Sequence, residues 1–305
     1  NQSELRILLL ARQIRKTDYR DILQEVRTRC VHLQQTVIID DEWSSLLNEA
    51  AGIDDATLAH RENSLTCHDP INIQYTSGTT GSPKGATLSH YNILNNGHIC
   101  GAILSYTEKD RVCIPLPFYH CFGMVMGNLA CASHGACVVV PGEAFDAGDT
   151  LAAIDSERCT SVYGVPTMFI AQLNHPKFNQ TDVSSLRTGI MGGSPCPVEV
   201  MKQVRDRMNI REMTICYGMT ETSPVSTQTR RDDTLQKRVS TVGRVHPHVE
   251  IQIVNPETGQ IVPRGESGEL CTRGYSVMLG YWNDASATNE AVDTDGWMHT
   301  RDLAL

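Results

Sequence analysis

The sequence predicts an α/β protein, a doubly wound and mostly parallel sheet body carrying a small antiparallel β subdomain. Between residues 111 and 217, apolar runs of strand length alternate with helix-length stretches, the pattern of parallel strands joined by helical crossovers. After about residue 240 the period changes. Val249, Ile251 and Ile253 alternate with polar residues, and Asn255-Pro256-Glu257-Thr258-Gly259 marks a turn before Ile261-Val262. A third observation is the run Tyr-Thr-Ser-Gly-Thr-Thr-Gly-Ser-Pro-Lys-Gly over residues 75–85, a polar loop set between two extended segments.

In chain order, residues 1–35 read as helix, with Leu8, Ala11 and Ile14 on one face and Ile22, Leu23 and Val26 following. Residues 36–40 form a short buried strand. Residues 41–69 are polar and irregular, with one helix at about 43–51. Residues 71–75 alternate as a strand, 85–88 are extended again, and Ser89 is placed to cap a helix starting near His90. Five strands follow, at 111–116, 136–140, 161–165, 186–191 and 212–217, with helices at 121–133, 149–157, 166–174 and 195–208 between them. Ser194 is expected as N-cap of the last helix and Pro195 at its first position, because Val198, Met201, Val204 and Met208 repeat at helical spacing. Residues 1–240 are therefore expected to form the body and 241–305 the β subdomain.

With 305 residues there is material for one large or two average domains, and a net charge of -9 argues against nucleic acid as the main partner. The local basic cluster Arg230-Arg231 with Lys237-Arg238 reads as a solvated loop. Eleven cysteines without a Cys-x-x-Cys pair fit neither a disulfide framework nor a zinc site, which points to a reducing compartment. Cys113, Cys137 and Cys216 lie in apolar runs and are expected to pack as small hydrophobes. No apolar run is long enough to span a bilayer, so a soluble protein is expected. The chain starts at Asn1 and shows no secretory signal, so the true N-terminus and any targeting peptide are expected upstream.

The loop at 75–85 has the makeup of a phosphate cradle. Thr76, Ser77, Thr79, Thr80 and Ser82 supply hydroxyl donors, Gly78, Gly81 and Gly85 let backbone N–H groups approach an anion, and Lys84 adds a mobile cation. Pro83 restricts the backbone just before the lysine. The spacing is neither Walker nor Gly-x-Gly-x-x-Gly, since Pro83 stands where a Walker loop has its second glycine.

Four stretches in order resemble the adenylate-forming superfamily of acyl-CoA synthetases, luciferases and nonribosomal adenylation domains. They are residues 75–85, 115–123, 217–222 with the Gly192-Gly193-Ser194-Pro195 turn before them, and 295–302. Asp69-Pro70-Ile71-Asn72-Ile73 and the segment from Gly268-Glu269-Leu270 to Gly280-Tyr281-Trp282 look most like the mitochondrial medium-chain acyl-CoA synthetases, and the resemblance runs from about residue 36 to the end. It implies an adenylation-domain body in the mitochondrial matrix. It also implies a reaction in which a carboxylate attacks the α-phosphate of ATP and coenzyme A then displaces AMP. By the same resemblance, the 76–84 loop holds the β- and γ-phosphates, Thr220 contacts the α-phosphate and Glu221 helps hold Mg²⁺. Tyr217 stacks on adenine beside Gly193 and Ser194, Asp302 accepts the ribose hydroxyls, and His120 gates between nucleotide and acyl pockets. Two departures stand out. Thr300-Arg301-Asp302 replaces the family's Thr-Gly-Asp, and where that glycine supplies positive φ or close backbone approach, arginine is expected to strain the turn or crowd the ribose. The family's early N-terminal portion and its C-terminal lid domain are not in the 305 residues, and the chain alone is expected to be inactive. Two other readings stay open: a non-catalytic nucleotide-binding or interaction module, and an adenylation domain that loads a carrier protein.

Overall fold

The computed structural model describes residues 2–76 and 82–305 and divides into two compact units, Asn1–Asp69 and Pro70–Leu305. The division expected near residue 240 does not coincide with this boundary.

In the first unit, β1 (Ile7–Leu10) pairs in parallel with β4 (Gln35–Ile38), and β2 (Gln13–Ile14) with β3 (Thr17–Asp18) makes a tight hairpin around Arg15 at φ 53. Helix α1 (Tyr19–Val26) follows, capped by Asp18. The continuous helix expected over residues 1–35 is thus corrected. The run Ile7-Leu8-Leu9-Leu10 finds a strand partner 28 residues away, and pairing overrides a helical spacing that was only local. Residues 41–69 are also more regular than expected, holding α2 (Ile39–Glu49) and α3 (Asp55–Asn63, capped by Asp54).

The second unit opens with the antiparallel pair β5 (Pro70–Thr76) and β6 (Lys84–Ser89), in which Tyr75 faces Gly85 and Thr76 faces Lys84. The cradle loop therefore does connect two strands. Ser89 caps α4 (His90–Ile103) with a reciprocal capping box to Asn92. Then come β7 (Arg111–Cys113), a π-helical segment at Phe122–Leu129 running into α5 (Ala130–His134), and β8 (Cys137–Val139). The alternation continues through α6 (Ala147–Ser156), β9 (Ser161–Gly164), α7 (Pro166–Leu173), β10 (Thr188–Met191), α8 (Val198–Arg207) and β11 (Glu212–Gly218). β12 (Val225–Gln228), α9 (Leu235–Ser240) and β13 (Arg244–Val245) complete a seven-stranded sheet of order β13-β12-β11-β10-β9-β7-β8. The five strands from β8 to β11 run parallel, while β12 and β13 are antiparallel.

Neighbouring residues of these strands enter different cores, as the two-residue strand period requires. Cys113, Val162 and Met191 pack with α6, α7 and α8, whereas Val112, Tyr163 and Ile190 pack with α4, the π-helical segment and α5. The sheet is covered on both faces, and the doubly wound architecture holds. Its order reverses at β7, which has β8 on one side and β9 on the other, and such a switch point leaves a crevice beyond the strands' carboxyl ends.

Helix α8 begins later than expected, with Pro197 as N-cap in place of Ser194. Ser194 and Cys196 each precede a proline, which steers both away from helical backbone angles and delays the start until the second proline is passed. Of the cysteines expected to pack as small hydrophobes, Cys113 is buried and Cys216 half-buried, but Cys137 is exposed at the sheet edge.

Residues 241–305 hold the expected antiparallel sheet, β14 (Val249–Val254), β15 (Gly268–Gly274) and β17 (Met298–Ala304), with α10 (Ala285–Ala291) alongside. They are not self-contained. β16 (Gly280–Tyr281) leaves that sheet and pairs with Thr87 and Ala86 of β6, which carries Tyr281 to the cradle strands. Among the described residues no helix is long and apolar enough to cross a membrane.

Candidate functional site

A cleft of about 770 Å³ lies where the switch point predicts it. Tyr119, His120 and Phe122 after β7, Gly192 and Gly193 after β10, and the end of β11 with Met219, Thr220 and Glu221 form its floor. Thr76, Lys84, Tyr281, Thr300, Arg301 and Asp302 border it from the smaller sheets.

Of the eleven expected site residues that are described, eight line this cleft. Lys84 opens β6 and Thr76 ends β5, and both line the cleft. The expected cradle residues Ser77, Gly78, Thr79, Thr80 and Gly81 lie outside the described residues. Ser82 and Pro83 are described, are exposed and do not line the cleft; Ser194 behaves likewise, although its neighbour Gly193, at φ 81, does line it.

Glu221 sits in a short 3₁₀ turn, Thr220–Thr222, and is 4% exposed. Its Oε1 accepts from the Tyr281 hydroxyl at 2.8 Å and from Thr76 Oγ1 at 3.5 Å. Lys84 Nζ lies 5.2 Å from the centre of the Tyr281 ring, a cation–π distance. Tyr281 therefore bridges the cradle lysine and the buried carboxylate. Burial, with the Glu221 charge second, raises its phenol pKa. The turn can form because Gly218 has no side chain: a Cβ there would stand 1.8 Å from the carbonyl oxygen of Pro224.

On the opposite side Tyr217 donates its hydroxyl to Asp302 Oδ2 at 2.7 Å, and burial is the main cause that raises this phenol's pKa. The backbone at Arg301 has φ 63, in the left-handed region that glycine occupies without strain. His120 Nδ1 accepts from the Phe122 N–H at 3.1 Å, and burial lowers its pKa, so near neutral pH the ring is uncharged with its proton on Nε2. The peptide N–H of Cys121 donates to Gln74 Oε1 at 3.1 Å, which ties the segment after β7 to β5. The Cys121 thiol lies 3.8 Å from Thr220 Oγ1, and burial pushes it up to about 11, so it stays protonated.

Sequence reasoning gave no role to Tyr281 or Gln74. The Gly-Tyr-Trp triplet was visible, but its partner Glu221 lies 60 residues away and nothing local marks the pair.

Chemically, the cleft joins a cation and hydroxyl beside a buried carboxylate with an aromatic ring bonded to a second carboxylate. The buried Glu221 fits a hard cation such as Mg²⁺: it offers carboxylate oxygens at the cleft, and the Tyr281 and Thr76 hydroxyls both bond to Oε1.

The family model for the AMP-binding enzyme matches residues 1–282. The chain is 47% identical over 324 residues to the candidate acyl-CoA synthetase YngI of Bacillus subtilis (strain 168), covering 100% of this chain and 59% of that protein. It is 44% identical over 281 residues to the mitochondrial medium-chain acyl-CoA ligase ACSF2 of Bos taurus, covering 90% and 45%. ATP-bound MatB from Rhodopseudomonas palustris superimposes with a TM-score of 0.81 at 28% identity, over 99% of this chain and 57% of that one. The chain thus spans about half the length of the curated relatives it matches. Since the family match covers residues 1–282 of the 305, this chain belongs to the AMP-binding enzyme family.

Proposed function

We propose that the protein carrying this chain is an ATP-dependent acid:CoA ligase. A substrate carboxylate oxygen attacks the α-phosphorus of ATP, and the bond to pyrophosphate breaks. The thiol of coenzyme A then attacks the acyl carbon of the adenylate and AMP leaves. The observation that carries the reading is the meeting of Lys84, Thr220, Glu221, Tyr217 and Asp302 around one cleft at the sheet's switch point.

In this reading Lys84 and Thr76, with the loop between them, hold the β- and γ-phosphates, so a preorganised cation faces the charge that builds on the leaving pyrophosphate. Thr220 donates to the α-phosphate. Glu221, oriented by Tyr281, holds Mg²⁺, which neutralises phosphate charge when bound. The Tyr217 ring packs on adenine and Asp302 accepts the ribose hydroxyls. His120, neutral at physiological pH, separates the nucleotide from the acyl group without placing a second cation there. The names of the ACSF2 relatives support a medium-chain acid and a mitochondrial location.

The test is pyrophosphate release across a series of carboxylic acids with and without coenzyme A, using full-length protein. Release that needs a medium-chain acid, and thioester formation that needs coenzyme A, are expected. Lys84→Ala should slow single-turnover adenylate formation by about 100- to 1000-fold, the usual effect of losing one preorganised donor. An unchanged rate would remove Lys84 from the chemistry, and pyrophosphate release indifferent to every acid would overturn the ligase reading.

A further inference from the structure

Glu269 does not line the main cleft but a hollow of about 440 Å³ that shares His299 and Arg301 with it, and it is bonded to the strand that presents Asp302. The register between β15 and β17 shows why that strand needs support. Cys271 pairs with His299 and Glu269 with Leu303, so β17 uses four residues where β15 uses two. The excess is taken up as a bulge with Arg301 at φ 63, and the bulge turns Thr300, Arg301 and Asp302 to the cleft. An arginine does not favour that conformation, so something else must hold it.

The Glu269 carboxylate spans the bulge. Its Oε1 accepts from the Arg301 N–H at 2.8 Å and its Oε2 from His299 Nδ1 at 2.9 Å, while its side chain is 12% exposed. Thr300 Oγ1 donates to the Leu270 carbonyl at 2.7 Å and accepts from the Asp302 N–H at 3.2 Å, which completes the turn. Glu269, Cys271 and His299 also bring metal-ligand atoms within 4.8 Å of one another, but both Glu269 oxygens are already engaged by N–H donors, so the cluster reads as a hydrogen-bonded clamp.

We propose that Glu269, with His299 as its second donor, is a positioning residue that holds the β17 bulge in the shape which aims Asp302 at the ribose hydroxyls. The proposal rests on the reading of Asp302 as ribose acceptor. Glu269 does not line the main cleft and acts through the Arg301 peptide. Its loss should therefore erase recognition of the hydroxyls and leave the rest of nucleotide binding intact.

The experiment compares calorimetric affinities of ATP and of 2′,3′-dideoxy-ATP for the full chain and for Glu269→Gln, His299→Gln and Asp302→Ala. The parent should prefer ATP, and Asp302→Ala should lose that preference. In Glu269→Gln the amide keeps one acceptor and turns a donor toward the other N–H, so the preference should fall about tenfold while dideoxy-ATP binds as before. His299→Gln should lower it less, and it carries the test if Glu269→Gln does not fold. A Glu269→Gln protein that keeps the full preference, or that loses affinity equally for both nucleotides, overturns the clamp alone. An Asp302→Ala protein that still prefers ATP overturns the ribose reading and the clamp with it.

Discussion

Arg301 is a residue whose backbone and side chain want different things. At φ 63 an L-residue costs about 1–2 kcal/mol relative to ordinary helical or extended backbone. Its guanidinium recovers little, since it stands 3.9 Å from Glu290 and both side chains are more than half exposed, a geometry that contributes little in water. Arg301→Gly removes the backbone cost but adds freedom to the unfolded chain worth roughly 0.5–1 kcal/mol, so a net stabilisation of up to about 1.5 kcal/mol is expected. Urea denaturation checks this through a higher midpoint at unchanged slope. A lower midpoint would mean that the arginine side chain contributes more than its exposure allows. Of the two expectations that the departure from Thr-Gly-Asp raises, positive φ and close backbone approach, the backbone at Arg301 shows the first, and it is the family resemblance rather than the residue itself that marks the position.

Among the elements, the π-helical segment Phe122–Leu129 is the one that places the cleft's floor, because it starts two residues after His120. It packs against α4, and the two approach so closely that a Cβ on Gly97 would lie 2.8 Å from the Val125 carbonyl oxygen and 2.9 Å from Leu129 Cβ. Backbone cannot swing aside as a long side chain can. Gly97→Ala is therefore expected to destabilise by about 1–3 kcal/mol, the cost of overpacking a tight contact. That corresponds to about 2–4 °C of melting temperature per kcal/mol for a unit of this size. Gly52→Ala, where nothing lies within 4 Å of the new methyl, serves as the control and should melt no lower than the parent. Equal melting temperatures for the parent and Gly97→Ala would show that α4 yields more readily than the packing implies. The sequence called for a helix here but held no sign of its wide turns.

For the molecule as a whole, acid stability should depend on His246. It lies between β13 and β14, is 1% exposed, and its Nε2 is 3.1 Å from Gln228 Oε1. Burial, assisted by the Arg230 charge, lowers its pKa to about 3. In the unfolded chain the imidazole titrates near 6.5, so below about pH 6.5 the unfolded state takes up a proton that the folded state refuses. The contribution is thus complete above about pH 6.5 and is lost as the pH falls toward 3, with a slope approaching about 1.4 kcal/mol per pH unit. His246→Gln keeps an amide donor for Gln228 and cannot charge, so its stability should fall less steeply between about pH 6.5 and pH 5. Denaturant midpoints measured across that range for both proteins decide the matter. Parallel slopes would mean that His246 is solvated or protonated in the folded state.

The residues by themselves determined whatever depends on near neighbours. Strand and helix alternation from 111 to 217, the Ser89 cap and the strands flanking the cradle loop are all set by side chains within a few positions of where they act. Tertiary structure alone decided the pairings across long stretches of chain. Ile7–Leu10 became a strand only through Gln35–Ile38, and β16 left its own sheet for β6. Tyr281 met Glu221 across 60 residues, while Thr76 met it across 145. Propensity and periodicity carry no record of a partner that far away, because they describe a residue's near neighbours, while closing so long a loop is favoured only by the packing of the whole fold.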